Sequence, residues 1–168
     1  MCKCSIAAIV ALSAISFQSF AQTVTVPRPV PYAAGSDVAG NVKRECQLDV
    51  KLADFIQQFA SERKIAVSFA AETSPATPGR VLVLEIRDAQ SSGNAFLGHH
   101  KSTSVRGQYF EDAKLVGSFS DRRDSMGGLF AGFKGSCSVL GRTVREIGKD
   151  IAEWMVSPRL NADLGDLK

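Results

Sequence analysis

Residues 103–121 read TSVRGQYFEDAKLVGSFSD, and their alternation decides the fold class. TSVRGQYF (103–110) and KLVGSFSD (114–121) each carry strand character, and Glu111-Asp112-Ala113 is a short connection between them. Two alternating runs joined this closely predict a β-hairpin. The period-two sets are Val105, Gly107 and Tyr109 on one strand, and Leu115, Gly117 and Phe119 on the other. Glycine weakens a strand, so Gly107 and Gly117 predict a bulge or the close approach of another element.

Upstream of the hairpin, RVLVLEIRD (80–88) is the strongest strand signal. It is apolar on both faces at its start, which predicts a central position in a sheet. Ile65, Val67 and Phe69 alternate with Ala66 and Ser68, predicting a half-buried strand. The loops 71–79 and 89–101 separate these runs by their Pro, Ser, Gly and polar content. Leu48, Leu52, Phe55, Ile56 and Phe59 share one helical stripe, with Asp49 placed to cap the helix and an end expected near Arg63. Downstream, Leu140, Val144, Ile147, Ile151, Trp154 and Met155 form a second stripe over about 136–156, closed by Pro158. Gly141 and Gly148 inside that helix each cost about 1 kcal/mol relative to Ala. With Ala152 they form a small-residue strip against which another backbone can lie. The order helix, strand, strand, hairpin, helix predicts an α+β two-layer sandwich: a mainly antiparallel sheet of four or five strands with two amphipathic helices on one face.

The N-terminal 21 residues, MCKCSIAAIVALSAISFQSFA, have Lys3 ahead of an apolar run from Ile6 to Phe17. Ser19 and Ala21 stand at −3 and −1 of a cleavage site before Gln22. This is a signal peptide pattern and implies a periplasmic or secreted protein. A membrane anchor is the alternative, but the run falls well short of the roughly 20 residues a span needs. The expected organisation is a signal peptide (1–21), an extended Pro/Gly-rich arm (22–44), one α+β domain (45–158) and a loose tail (159–168). In the arm, Pro27, Pro29 and Pro31 exclude a helix, and Thr23 to Val26 can add an edge strand.

The whole chain has 168 residues, 20 Lys or Arg, 17 Asp or Glu, and four Cys. Its 45% hydrophobic and 22% charged residues are ordinary globular composition, and a formal charge of +3 argues against nucleic acid as partner. Cleavage after Ala21 leaves 147 residues, a charge of +2 and two cysteines, Cys46 and Cys137. In an oxidising compartment such a pair reads as one disulfide, which sets the starts of the two helices side by side. The alternative is a reactive thiol, although neither Cys has a CxxC neighbour.

Chemistry-bearing motifs are sparse, and no catalytic residue, cofactor or metal is assigned. His99 and His100 are adjacent in a loop, where neighbouring side chains diverge and make poor joint ligands. There is no HExxH, Cys–His zinc spacing, acidic calcium loop or GxSxG. Asp112, Asp121, Asp124 and Asp150 are scattered among basic residues without a marked acid/base pair. MGGLFAGFKG (126–135) resembles a phosphate loop only in the separation of Gly127 and Gly132, because Phe133 stands where the lysine should be. Its small-residue spacing, Gly127, Ala131, Gly135 and Gly128, Gly132, Ser136, permits close contact. With Leu129, Phe130 and Phe133 it forms either a contact surface for lipid or a partner, or a loop whose two Phe fill the core. Positive charge gathers at Arg122 and Arg123 and again at Arg142, Arg145 and Lys149, which form a basic helix face opposite the apolar stripe. That face is either solvated, with Arg142–Glu146 and Lys149–Glu153 pairs, or drawn to anionic lipid or cell-wall polymer.

VRGQYFEDAKLVGSFSDRR, the Gly-rich link and RTVREIGKDIAEWM together resemble small exported proteins of Gram-negative bacteria grouped as domains of unknown function. The resemblance covers residues 47–157, and its motifs are structural. Many proteins of that type are envelope lipoproteins; this chain departs from them in lacking a lipobox. The layout is also similar to small envelope α+β domains such as the N-terminal domain of TolB. The signal pattern, the paired cysteines and the lack of a coherent active-site motif predict an exported non-enzymatic envelope protein that binds another periplasmic, outer-membrane or cell-surface component. The alternatives are a periplasmic hydrolase using the His99/His100 loop, and a peripheral binder of anionic lipid or cell wall.

Overall fold

Lys114–Ser125 and His100–Glu111 pair antiparallel through a two-residue turn in which Asp112 and Ala113 both take positive φ, 47° and 64°. That backbone matches the right-handed twist of the strands it joins. The computed structural model describes residues 23–92, 100–125 and 135–168. The expected signal peptide lies outside the described residues. Among the described residues, six strands and three helices follow one another as β1 (Val24–Pro27), α1 (Gly40–Cys46), α2 (Leu48–Glu62), β2 (Val67–Ala70), β3 (Arg80–Ser92), β4 (His100–Glu111), β5 (Lys114–Ser125), α3 (Ser136–Trp154) and β6 (Ala162–Gly165). The sheet order is β2-β1-β3-β4-β5-β6. Its long pairs, β3–β4 and β4–β5, are antiparallel; the short strands β1, β2 and β6 join in parallel. The fold is the expected α+β sandwich with a wider sheet.

One core lies between the helices and a single face of the sheet. Strand periodicity supplies Val24 and Val26, Leu82, Leu84 and Ile86, and Val105, Tyr109 and Phe119; helix periodicity supplies Leu48, Leu52 and Ile56, and Leu140, Val144, Ile147 and Ile151. The extra sheet width comes from the two ends of the chain. Thr23 to Val26, expected at an edge, sits as β1 between β2 and β3, because Val24 and Val26 both face the core. The proline segment is pinned to β3: Pro31 O accepts from Ile86 N at 2.8 Å, and Ala33 N donates to Ile86 O at 2.9 Å. The final residues of the expected arm form the start of α1. The segment 159–168, expected as a loose tail, carries β6, which buries Ala162 and Leu164 against β5.

Three local expectations are corrected. Asp49 is not the cap of α2: Gln47 holds that position in the left-handed region, because α1 runs directly into α2. The Asp49 carboxylate accepts from Val50 N and still lies in the first turn, where it favours the helix dipole. The loop expected over 89–101 is shorter, since β3 continues to Ser92 and β4 starts at His100. Leu115 is 39% exposed, although its parity with Gly117 and Phe119 predicts burial. A bulge explains this: Tyr109 faces Gly117 and Phe110 faces Leu115, so Val116 is extra and the register shifts.

The glycines meet other elements as predicted. A Cβ on Gly117 would stand 2.6 Å from the Trp154 ring, and one on Gly107 would strike Phe119 and Leu84. On α3 the small-residue strip is real only at its C-terminal half. A Cβ on Gly148 would come within 2.7 Å of Phe55 Cβ and 3.2 Å of Ile56 N on α2, whereas Gly141 meets nothing within 4 Å. Gly148→Ala is therefore expected to destabilise by about 1–3 kcal/mol by pushing two helix backbones apart, outweighing its helix-propensity gain. Gly141→Ala is expected to stabilise by up to about 1 kcal/mol. Urea midpoints of the two variants check both signs.

Candidate functional site

Extending the inner-face set of β5 two steps past Phe119 reaches Asp121 and then Arg123. Asp121 is 1% exposed, and its two carboxyl oxygens are buried without a hydrogen-bond partner among the described residues. Beside it, Arg123 makes a two-pronged pair with Asp150 of α3, Nε and Nη2 each donating at 2.7 Å. Its third arm, Nη1, donates to Asp166 at 3.0 Å. Asp166 in turn accepts from Asp124 N at 2.8 Å, and Asp166 N donates to Arg122 O at 2.9 Å. One arginine thus ties β5, α3 and the chain end together.

Burial, chiefly, pushes the Asp121 carboxyl up to about 8; Asp150 and Asp166 push the same way, and Arg123 and Lys168 only partly offset them. The Asp121 carboxyl is therefore mainly neutral at pH 7. Arg123 is held more firmly charged by its bonds to Asp150.

An open groove of about 460 Å³ lies over this network, between the end of β5 and the outer face of α3. Arg123, Asp124 and Asp166 form one wall; Arg142, Arg145 and Glu146 form the other. Its floor is Thr143, whose hydroxyl donates to Leu140 O at 2.8 Å and lies 2.7 Å from the Thr103 hydroxyl. That hydroxyl is engaged within the fold. Behind it, the buried Lys101 ammonium donates to Ser136 Oγ at 2.9 Å.

Of the sequence-derived contact residues, Arg142 and Arg145 line the groove; Lys149 is exposed on the same helix but outside the lining. The helix-face ion pairs differ from expectation. Arg145 bonds its neighbour Glu146 at 2.8 Å and stacks 5.0 Å over the Phe59 ring, while Glu153 faces Arg63 at 3.8 Å. Arg142 has no ion-pair partner among the described residues. Gly127, Gly128, Phe130, Gly132 and Phe133 lie outside the described residues, as do His99 and the side chain of His100. Among the described residues no group of three His, Cys, Asp or Glu is placed to hold a metal, and no helix is long and apolar enough to cross a membrane.

Cys46, the last residue of α1, is bonded to Cys137, the second residue of α3, with Cα atoms 4.8 Å apart. The bridge fastens α3 at the end next to the groove.

No family model and no curated protein sequence matches the chain. Among solved structures, the chain is similar to a Xanthomonas campestris protein of family DUF330, with 12% identity, 80% of this chain and 83% of that one covered, and a TM-score of 0.55. This shows a shared fold. Minor lipoprotein from Acinetobacter baumannii aligns at 7% identity and TM-score 0.44, covering 80% of this chain and 92% of that one. Lipoprotein GNA1162 from Neisseria meningitidis aligns at 17% identity and TM-score 0.43, covering 79% and 99%.

Proposed function

We propose that the chain is an exported, non-enzymatic envelope protein that holds a segment of another envelope component in the groove between β5 and α3. The observation that carries this reading is the groove itself. It is open, rimmed by charges of both signs, and offers Arg142 without an ion pair among the described residues. Two of its other polar groups are already committed: Arg123 to two aspartates, Thr143 to Thr103 and Leu140 O. Committed groups hold a shape, and an open, charged rim suits a macromolecular segment better than an enclosed small molecule. Export is supported by the tripartite N-terminal pattern and by the bonded Cys46–Cys137 pair.

Capture from envelope extracts tests the reading, with Arg142→Glu/Arg145→Glu as the comparison. Reversing two rim charges is expected to weaken capture at least tenfold, about 1.4 kcal/mol, with unchanged circular dichroism and an intact disulfide. Undiminished capture would remove the groove as the contact. Binding to anionic vesicles at low salt that vanishes at high salt, without protein capture, would favour the lipid reading.

A further inference from the structure

The C-terminal strand is fastened in an unusual way. β6 has four residues, pairs on one side only among the described residues, and ends three residues from Lys168. Its apolar anchors are Ala162 and Leu164. Its last residue, Gly165, takes φ +63° and lies so close over Asp121 that a Cβ there would strike Asp121 Oδ1 and Arg122 O. The strand therefore lies over a buried carboxyl that no described hydrogen bond satisfies. The charged groups around that carboxyl come from three elements: Arg123 on β5, Asp150 on α3, and Asp166 and Lys168 after β6. Val105, opposite on β4, brings no charge.

We propose that β6 is a pH-controlled latch on the β5–α3 groove, closed while Asp121 carries a proton and released as Asp121 ionises. Closing β6 over an ionised Asp121 would bury a carboxylate beside Asp150 and Asp166, with Arg123 already shared between those two. Opening β6 lets water reach the carboxylate, carries away Asp166, and bares the outer edge of β5 from Phe119 to Arg122. An uncovered strand edge offers unpaired N–H and C=O groups to a partner strand.

The sign follows from linkage. The closed state holds the Asp121 proton up to about pH 8, and the open state releases it near the ordinary carboxylate value of about 4. Closure is therefore fully favoured below about pH 4. It weakens as pH rises and levels off above about pH 8. The opening constant rises about tenfold per pH unit inside that window.

Native-state hydrogen exchange on the full chain with its disulfide intact tests this, each amide corrected for its intrinsic rate. Protection of Leu164 and Asp166 amides is expected to fall about tenfold per pH unit between pH 5 and 7.5, while β3–β4 amides such as Leu84 stay constant. Asp121→Asn, which keeps the shape, is expected to abolish the slope. A wild-type slope of zero, or a slope retained in Asp121→Asn, would overturn the latch. The ¹³C titration of the Asp121 carboxyl in the wild-type chain is an independent measurement, and a midpoint near 4 would also overturn it. The latch rests on the groove reading for what it regulates. The exchange experiment contains no partner, so its result and that of Arg142→Glu/Arg145→Glu capture stand apart.

Discussion

Replacing Cys46 and Cys137 together by Ala is expected to lower stability by about 4 kcal/mol. The bridge spans a sequence separation of 91 residues. Closing a loop of that size in the unfolded chain removes conformational entropy worth about 4–5 kcal/mol. The loop contains α2, β2, β3, β4 and β5, so nearly the whole sheet forms between two tied points. Cys46 is buried, and Ala there leaves only a small void. For a chain of this size the loss corresponds to a fall in Tm of about 10 °C. Guanidinium unfolding with and without reductant checks it: reductant should shift the wild type and leave the double variant unmoved. A loss below about 1 kcal/mol would mean that the tie contributes little to folding.

Trp154→Ala is expected to cost about 3–5 kcal/mol. Trp154 ends α3 and packs edge-on to Phe119 at 4.8 Å and Tyr109 at 6.2 Å between ring centroids. It also fills the space left by Gly117, so removing it leaves a void bounded by α3, β4 and β5 that none of those elements can collapse into. The indole N–H is buried with no hydrogen-bond partner among the described residues, so the side chain acts through its rings. Trp154→Phe should therefore keep most of the stability, losing less than about 2 kcal/mol. Because this is the only tryptophan, circular dichroism rather than fluorescence should follow the unfolding.

The two large effects lie on residues of different legibility. Cys46 and Cys137 pair as expected from the cysteine count, because disulfide chemistry needs only two thiols, oxidising conditions and a fold that brings them within reach. Trp154 was readable as a core residue from helical spacing. Its partners were not, since Gly117 and Phe119 lie more than thirty residues away. The glycines still carried a signal: two within strands predicted a bulge or a close neighbour, and the rings of Phe119 and Trp154 supply the neighbour.

The candidate site divides in the same way. Arg142 and Arg145 were placed on the outer face of α3 by their spacing alone. The groove beside them depends on Arg123 and Asp166, whose relation cannot be read from the chain because β6 resembled a tail. Four residues, two of them apolar, are too short a signal; β6 forms because β5 offers it a ready-made edge. Asp121 did leave a trace, standing in the core register two places after Phe119. A carboxylate in that register looks like a strand's exposed end until the chain terminus is seen to cover it.

The sequence by itself determined the helical segments of α2 and α3, the strand segments of β2 to β5, the apolar face of each, the hairpin, the α+β class and the cysteine pair. Those are set by local spacing and side-chain chemistry, at periods of 3.6 and 2. Only the tertiary structure decided that the two chain ends widen the sheet, that Arg123 joins β5, α3 and the C terminus, and that Asp121 is sealed beneath Gly165. Those contacts link residues up to 45 positions apart within that network, Asp121 to Asp166, and across it the field at one carboxyl is a property of the packed assembly rather than of any segment.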